Sequence, residues 1–463
     1  MKSSDPKVIQ PICGRPLIHQ LLETLHRAIP DADVAVIVGH GREKVEAVCK
    51  ETDFGKKGRL TFILQDQQLG TGHAARCAMD AQWGEAQVKK KANILVMAGD
   101  SPLLTEELFK ESSLPLSKGA ALRLVSTILD HPTGYGRIVR KGKGAKAAIQ
   151  KIVEEKDAGP KEKAIREVGM SFYLFEAAFL QKSLRGLKTA NAQKEYYLTD
   201  VVTAAVKAKK KIDSLVWSNA DDLLGINDFW ELAAADRILM QRILKTHAKN
   251  GVRIIDPTRT RIEPTVQVSD GTVIHPGASL EGKTTIGRGT VIGAGVILKN
   301  VQVGEGCDVR TGTVGQDSVI ENQVVLGPYA NLRPGSHVGE SAKIGNFVEL
   351  KQTRIGKKTS VAHLSYLGDA EVGDRVNIGC GFVTCNFDGR VIDGSRKHKT
   401  VIGDDVFMGS DCQTIAPIKI GAGAYVASGS TLSEDVESEA LAIARSRQVN
   451  KPGYAKKLKG PGN

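Results

Sequence analysis

The chain has 463 residues, 41% of them hydrophobic and 25% charged, with a formal charge of +12 at pH 7. That length predicts two or three domains of a globular protein. No apolar run is long enough to span a bilayer, and no hydrophobic signal core follows Met1. Seven scattered cysteines (Cys13, Cys49, Cys77, Cys307, Cys380, Cys385 and Cys412) lack CxxC metal spacing and read as reduced thiols of a cytoplasmic protein. The positive charge points to anionic partners. Without aromatic-basic interleaving, phosphorylated small molecules account for it and nucleic acid gains no support. Lys89-Lys90-Lys91 and Lys209-Lys210-Lys211 read as solvated loop or helix-end charge.

From the N-terminus, Leu17, Ile18, Leu21, Leu22 and Leu25 have the spacing of one helix face, predicting a helix over 16–29. Val34-Ala35-Val36-Ile37-Val38 and Asn93-Ile94-Leu95-Val96-Met97 read as fully buried parallel strands. Strand and helix alternate through residue 225, which predicts a doubly wound α/β sheet. Within it, Gln65 to Ala74 places the Gly70-Thr71-Gly72 turn between a strand and a helix, where backbone N–H groups meet anions or a base edge. Ala98-Gly99-Asp100-Ser101-Pro102 puts an acid at the carboxyl end of a central strand, where open α/β sheets bind ligands. An Asp there can hold Mg²⁺; the alternative for such a residue is a helix N-cap or a turn. Thr133 to Ile138 and Ile152 to Asp157 complete the conspicuous segments. Residues 226–250 return to helical spacing through Trp230, Leu232, Ile238, Leu239 and Ile243 and read as a connecting helix.

After residue 250 the pattern changes. From Val266 to about Glu437 an aliphatic residue followed by Gly recurs in steps of six, as in Ile286-Gly287, Ile292-Gly293, Val338-Gly339, Ile344-Gly345 and Ile402-Gly403. Six residues make one short strand and one tight turn, and three such segments make a triangular coil of a parallel β-helix. The glycine is expected to serve the turn, whose backbone a Cβ would penalise. Arg333, Lys351, His363, Tyr366 and Asn377 break the regularity and all fall in about coils five to eight. A lone loop His is commonly structural; set beside two cations, a phenol and an amide, it marks a site. The tail over 446–463 is basic and contains Gly and Pro.

In this order the N-terminal segments resemble sugar-nucleotide pyrophosphorylases. Joined to a hexapeptide domain, the whole chain resembles the bacterial bifunctional N-acetylglucosamine-1-phosphate uridylyltransferases/glucosamine-1-phosphate N-acetyltransferases. The resemblance implies a left-handed β-helix over 251–445, a uridylyltransferase domain over 1–225, a homotrimer, and a product used for peptidoglycan and lipopolysaccharide. It implies Gln65, Gly70 and Thr71 on the uridine nucleotide of UTP, and Mg²⁺ on Asp100 and Asn227. Gly136 and Glu154 fall on the sugar, and Lys7 against phosphate charge. For acetyl transfer it implies His363 as base, with Arg333, Lys351, Tyr366 and Asn377 around glucosamine 1-phosphate. Acetyl-CoA falls to Cys380, Asn386, Phe387, Ser410, Ser428 and Arg445. A neutral amine must attack the thioester, and imidazole has the ordinary pKa to take its proton.

Some positions depart from the family pattern. Met1 aligns with the last residue of a Gly-rich triphosphate loop, so a start upstream of Met1 is expected, and weak uridylyl transfer without that loop. Ala98 replaces a Tyr, Val168-Gly169-Met170-Ser171 replaces Ile-Asn-Thr-Gly, Cys380 and Ser428 replace alanines, and Phe387 replaces a Tyr. The loop from Arg390 to Lys399 is longer than usual, offering Arg396, Lys397 and Lys399 to CoA phosphates. Two other readings stay open at this point: an acetyltransferase with a decayed N-terminal half, and a non-catalytic regulatory subunit.

Overall fold

In a computed structural model the described residues are 1–458 other than 2, 143, 145, 146, 392 and 393. The predicted first helix forms over Leu17–Ala28 and buries Leu17, Ile18, Leu21, Leu22 and Leu25. The main sheet runs Lys211–Val216, Ala120–Ile128, Glu167–Glu176, Gly136–Lys141, Ala148–Val153, with Asn93–Val96 also paired to Glu167–Glu176. Apolar layers cover both of its faces. Val168, Met170 and Phe172 face one layer, with Ile18, Leu21 and Phe109. Tyr173 and Phe175 face the other, with Ile138, Ile152 and Leu180.

Two strand expectations are corrected. Val34–Val38 is parallel, but its partner is Leu60–Leu64 in a separate two-stranded sheet. Asn93–Val96 is antiparallel to Glu167–Glu176. Neither is fully buried; only Val38 and Ile94 are, because among the described residues each strand is paired along one edge. The connecting helix spans Phe229–Lys249, and within it the chain divides into two compact units, Met1–Leu239 and Met240–Asn463. Leu232 and Leu239 are buried as the spacing requires, whereas Trp230, assigned to the same face, is 80% exposed.

The second unit is a parallel β-helix with three sheets of eleven, ten and nine short strands. Val273 pairs with Val291 and Ile274 with Ile292, so each coil takes three six-residue segments. Ile274, Ile292, Val309, Leu326, Ile344, Val361, Ile378, Met408 and Val426 stack as one buried column inside the first sheet. Each such side chain contributes about 1.5–3 kcal/mol by leaving water, and each coil covers its neighbour's apolar layer.

The glycine after each aliphatic residue has a different reason from the one expected. Gly287 and Gly379 do not adopt positive φ; a Cβ on them would lie 2.5 Å from Gly304 C and 2.6 Å from Ser410 N in the next coil. Close approach between coils excludes the side chain there. The left-handed turn position lies two residues further on, and Ser341, Lys358 and Asp405 adopt it as well as glycine. The tail forms a short helix at Tyr454–Leu458, and its last five residues lie outside the described ones.

Candidate functional site

In the first unit three groups of expected residues come together. Lys7, on a short 3-10 turn, ion-pairs with Asp100, and its Nζ lies 3.4 Å from Asn227 Oδ1. Asn227 is brought there because Ile226 N donates to Asp100 O at 3.1 Å. An ammonium thus stands between a carboxylate and an amide oxygen, the donors a hard divalent cation takes. Among the described residues no three His, Cys, Asp or Glu side chains could hold a metal by themselves. Such a cation would therefore draw its remaining ligands from water and substrate phosphates.

The second group is the Gly70 turn. Gly70 has φ +101 and precedes the helix Thr71–Asp80, and a Cβ on it would meet Tyr196 O at 2.8 Å. Gln65 Nε2 donates to Gly70 O at 3.2 Å and lies 3.1 Å from His73 Nδ1. Thr71 Oγ1 accepts from Leu198 N at 3.2 Å. The third group centres on Glu154, where Thr199 Oγ1 donates to Oε1 at 2.9 Å. Burial pushes the Glu154 carboxyl above its ordinary range, and the Thr199 bond partly opposes this. Gly136 lies beside it, since a Cβ there would be 3.4 Å from Glu154 Oε2. Tyr135 links this group to the first: burial, then the Glu231 and Asp100 carboxylates, push its phenol up. The sequence reading missed the Tyr196–Thr199 segment, which reaches both the Gly70 turn and Glu154. No local signal marks it, because its role comes from contacts more than forty residues away.

On the β-helix, Arg333, Lys351 and Tyr366 belong to the second sheet, His363 to the corner leading into it, and Asn377 opens a strand of the first sheet. Glu349 pairs with Tyr366, and Lys351 with Gly368, on adjacent strands of the second sheet. Arg333 N donates to Leu350 O at 2.8 Å, which puts Arg333 one coil below Lys351. Arg333 Nη1 is held by Glu349 Oε1 at 2.9 Å. Lys351 makes no salt bridge among the described residues. His363 ends the Ser360–His363 strand of the first sheet, at the turn into the strand carrying Tyr366. It is exposed, and among the described residues its imidazole has no hydrogen-bond partner. Asn377 pairs with Ser360 on the first sheet.

The acetyl-CoA candidates divide. Cys380 O accepts from Asp411 N at 2.7 Å, Ser410 N donates to Ser428 Oγ at 3.2 Å, and a Cβ on Gly429 would lie 3.5 Å from Arg445 Cδ. These four therefore continue, in successive later coils, the edge that carries His363. Asn386 and Phe387 instead begin the long loop beyond Val383–Cys385. Asn386 is buried and bonded to Asp369, and a Cβ on Gly368 would lie 2.7 Å from its Nδ2. Two cations expected for CoA are already engaged: Lys399 pairs with Glu371, and Lys397 lies 4.5 Å over the Phe387 ring. Residues 392 and 393 of that loop lie outside the described ones.

Residues 1–139 match the MobA-like NTP transferase domain, 265–300 the bacterial transferase hexapeptide (six repeats), and 399–434 the hexapeptide repeat of succinyl-transferase. A nucleotidyltransferase domain followed by a hexapeptide solenoid defines a two-domain transferase. The chain is 42% identical over 459 residues to the bifunctional protein GlmU of Brevibacillus brevis, covering 99% of this chain and 95% of that protein. Against the bifunctional protein GlmU of Pelobacter propionicus it is 40% identical over 460 residues, covering 99% and 96%. The chain belongs to the family of the bifunctional protein GlmU. A structure of UDP-glucose pyrophosphorylase complexed with UDP-glucose aligns with 51% of this chain and 91% of its own at 16% identity and a TM-score of 0.38, too slight a likeness to bear on the site.

Proposed function

We propose that the chain makes UDP-N-acetylglucosamine in two steps, acetyl transfer by residues 251–445 and uridylyl transfer by residues 1–225. Similarity to bifunctional relatives over 99% of the chain carries this reading. The occurrence of Arg333, Lys351 and Tyr366 on adjacent strands of the second sheet, with His363 at the corner before Tyr366, supports it. In the first step His363 takes a proton from the ammonium of glucosamine 1-phosphate, and the free amine attacks the acetyl-CoA carbonyl. The tetrahedral intermediate collapses, the C–S bond breaks, and the CoA thiolate leaves and is protonated. Backbone N–H groups of the coil turns are the donors available to the oxyanion. Arg333 and Lys351 bind the sugar phosphate, with Tyr366 and Asn377 on its hydroxyls. Cys380, Ser410, Ser428 and Arg445 line the path of CoA, and Asn386 and Phe387 flank it.

In the second step a phosphate oxygen of N-acetylglucosamine 1-phosphate attacks the α-phosphorus of UTP and pyrophosphate leaves. Such transfers depend on positioning and charge neutralisation. Mg²⁺, held by Asp100 and Asn227, would neutralise phosphate charge when bound. Lys7 adds a fixed cation at the same place. Gln65, Gly70 and Thr71 take the nucleotide, and Gly136 and Glu154 the sugar.

The candidate acetyl-transfer edge is open to solvent on one side, which favours a homotrimer in which a second copy closes it. Exposed Tyr329, Phe347 and Leu364 run beside His363, with the two rings stacked at 5.6 Å. Sedimentation of the full chain is expected to give a trimer, and Phe347→Asp to weaken it; a monomeric wild type would refute this assembly. Among the described residues no helix is long and apolar enough to cross a membrane. The free state of all seven cysteines supports a cytoplasmic site of action.

Lys351→Ala is expected to raise KM for glucosamine 1-phosphate about 10–100-fold with little change in kcat. A charge-assisted hydrogen bond is worth about 1.5–3 kcal/mol, and each 1.4 kcal/mol is about tenfold. Steady-state kinetics with varied sugar phosphate checks this, and an unchanged KM removes Lys351 from the phosphate site.

A further inference from the structure

One buried polar group in the first unit has no role in the chemistry above. Gly136 pairs directly with Gly169 across neighbouring strands, so neither position contributes a side chain, and Ile152 Cγ2 comes within 2.9 Å of the Cβ point of Gly136. At the rim of this pair stands the Glu154 carboxylate, 3.4 Å from where a Cβ on Gly136 would be. Around the Gly169 half stand Ile138 Cδ1 at 3.3 Å, Ile152 Cδ1 at 3.6 Å and the Tyr173 hydroxyl at 3.8 Å, measured from the corresponding Cβ point. Tyr173 is 1% exposed, and its hydroxyl has no hydrogen-bond partner among the described residues. Burial, and then the Glu154 charge, push this phenol far above its ordinary range, so it stays a neutral donor.

A buried hydroxyl without a partner costs free energy, and Phe would fill the same space without that cost. The cost is explained if the missing partner arrives with a ligand. A ligand reaching the rim of the glycine pair, beside Ile138 and Ile152, would meet a desolvated carboxylate that accepts hydrogen bonds and, close by, a phenol that donates one. Adjacent hydroxyl and carbonyl or hydroxyl groups on a pyranose ring present that pair. We propose that Tyr173 is a specificity-determining residue of the sugar subsite, donating to an oxygen substituent of the sugar while Glu154 accepts from its neighbour. This rests on the reading that residues 1–225 bind a sugar 1-phosphate.

The test uses the full chain and Tyr173→Phe, with N-acetylglucosamine 1-phosphate, UTP and UDP-N-acetylglucosamine as probes. The expected result is a KM for the sugar phosphate raised about tenfold, with the KM for UTP and the acetyl-transfer rate unchanged. UDP-N-acetylglucosamine should raise the Tm of the variant less than that of the wild type. Without ligand the variant's Tm should equal or exceed the wild type's, since an unpaired hydroxyl has gone. A variant whose sugar KM and ligand-induced Tm shift match the wild type overturns the proposal, as does a rise in both KM values with a lowered unliganded Tm, which would mark a packing role. A wild type showing neither uridylyl transfer nor a Tm shift with UDP-N-acetylglucosamine would instead overturn the sugar-site reading on which the proposal stands.

Discussion

His363→Ala is expected to slow acetyl transfer by about 10²–10⁴-fold, while uridylyl transfer by the same preparation stays at the wild-type rate. The loss corresponds to about 3–5 kcal/mol of barrier. The amine of glucosamine 1-phosphate is mostly protonated near neutral pH, and an ammonium has no lone pair to attack a thioester. With the proposed proton acceptor removed, the reaction would depend on the small free-amine fraction and on solvent. His363 is exposed and, among the described residues, its ring has no hydrogen-bond partner, so removing it should not perturb the coil. The Ser365 Oγ bond to His363 O involves backbone and survives. Substitutions at such surface sites usually change stability by less than about 0.5 kcal/mol, so an unchanged Tm separates lost chemistry from lost folding. A variant that retains near-full turnover would remove His363 from the mechanism.

Asp100→Ala is expected to reduce uridylyl transfer on the order of 10²–10³-fold and leave acetyl transfer intact. Asp100 is the one carboxylate in the Lys7, Asp100, Asn227 group. Its loss takes away the anionic donor a divalent cation needs and leaves the Lys7 ammonium without its partner. Raising the Mg²⁺ concentration should recover part of the rate, because the amide of Asn227 and substrate phosphates still offer oxygen. The backbone bond from Ile226 N to Asp100 O remains, so Asn227 keeps its place. Mg²⁺-dependent turnover near the wild-type level would exclude Asp100 as a ligand. Together the two variants also test the division of labour, since each should silence one activity and spare the other.

Much of the fold is legible in the sequence. The helix at Leu17–Ala28 and the solenoid follow from spacing, because burial of one face imposes a period on the side chains that line it. The unusual residues of the β-helix stand out for the same reason, as interruptions of a strict pattern. The candidate site in the first unit is less legible. Asp100 and the Gly70 turn are conspicuous, but Tyr173 looks like any aromatic residue of a buried strand. Only its position beside Gly169 of the Gly136–Gly169 pair gives its hydroxyl a direction.

By itself, then, the sequence determined the six-residue repeat and which of its positions are aliphatic, since each depends on residues within six positions of one another. Tertiary structure decided the rest. Asn93–Val96 is antiparallel because its partner is the distant Glu167–Glu176, which no local pattern names. Coil-to-coil contact, not turn conformation, explains Gly287 and Gly379. The alignment of His363, Cys380, Ser410 and Ser428 on one edge depends on the coil register continuing across the long loop: Ala370 still pairs with Thr400. That register is set by strand pairing between coils, which sums over the whole solenoid and is written in no single segment of it.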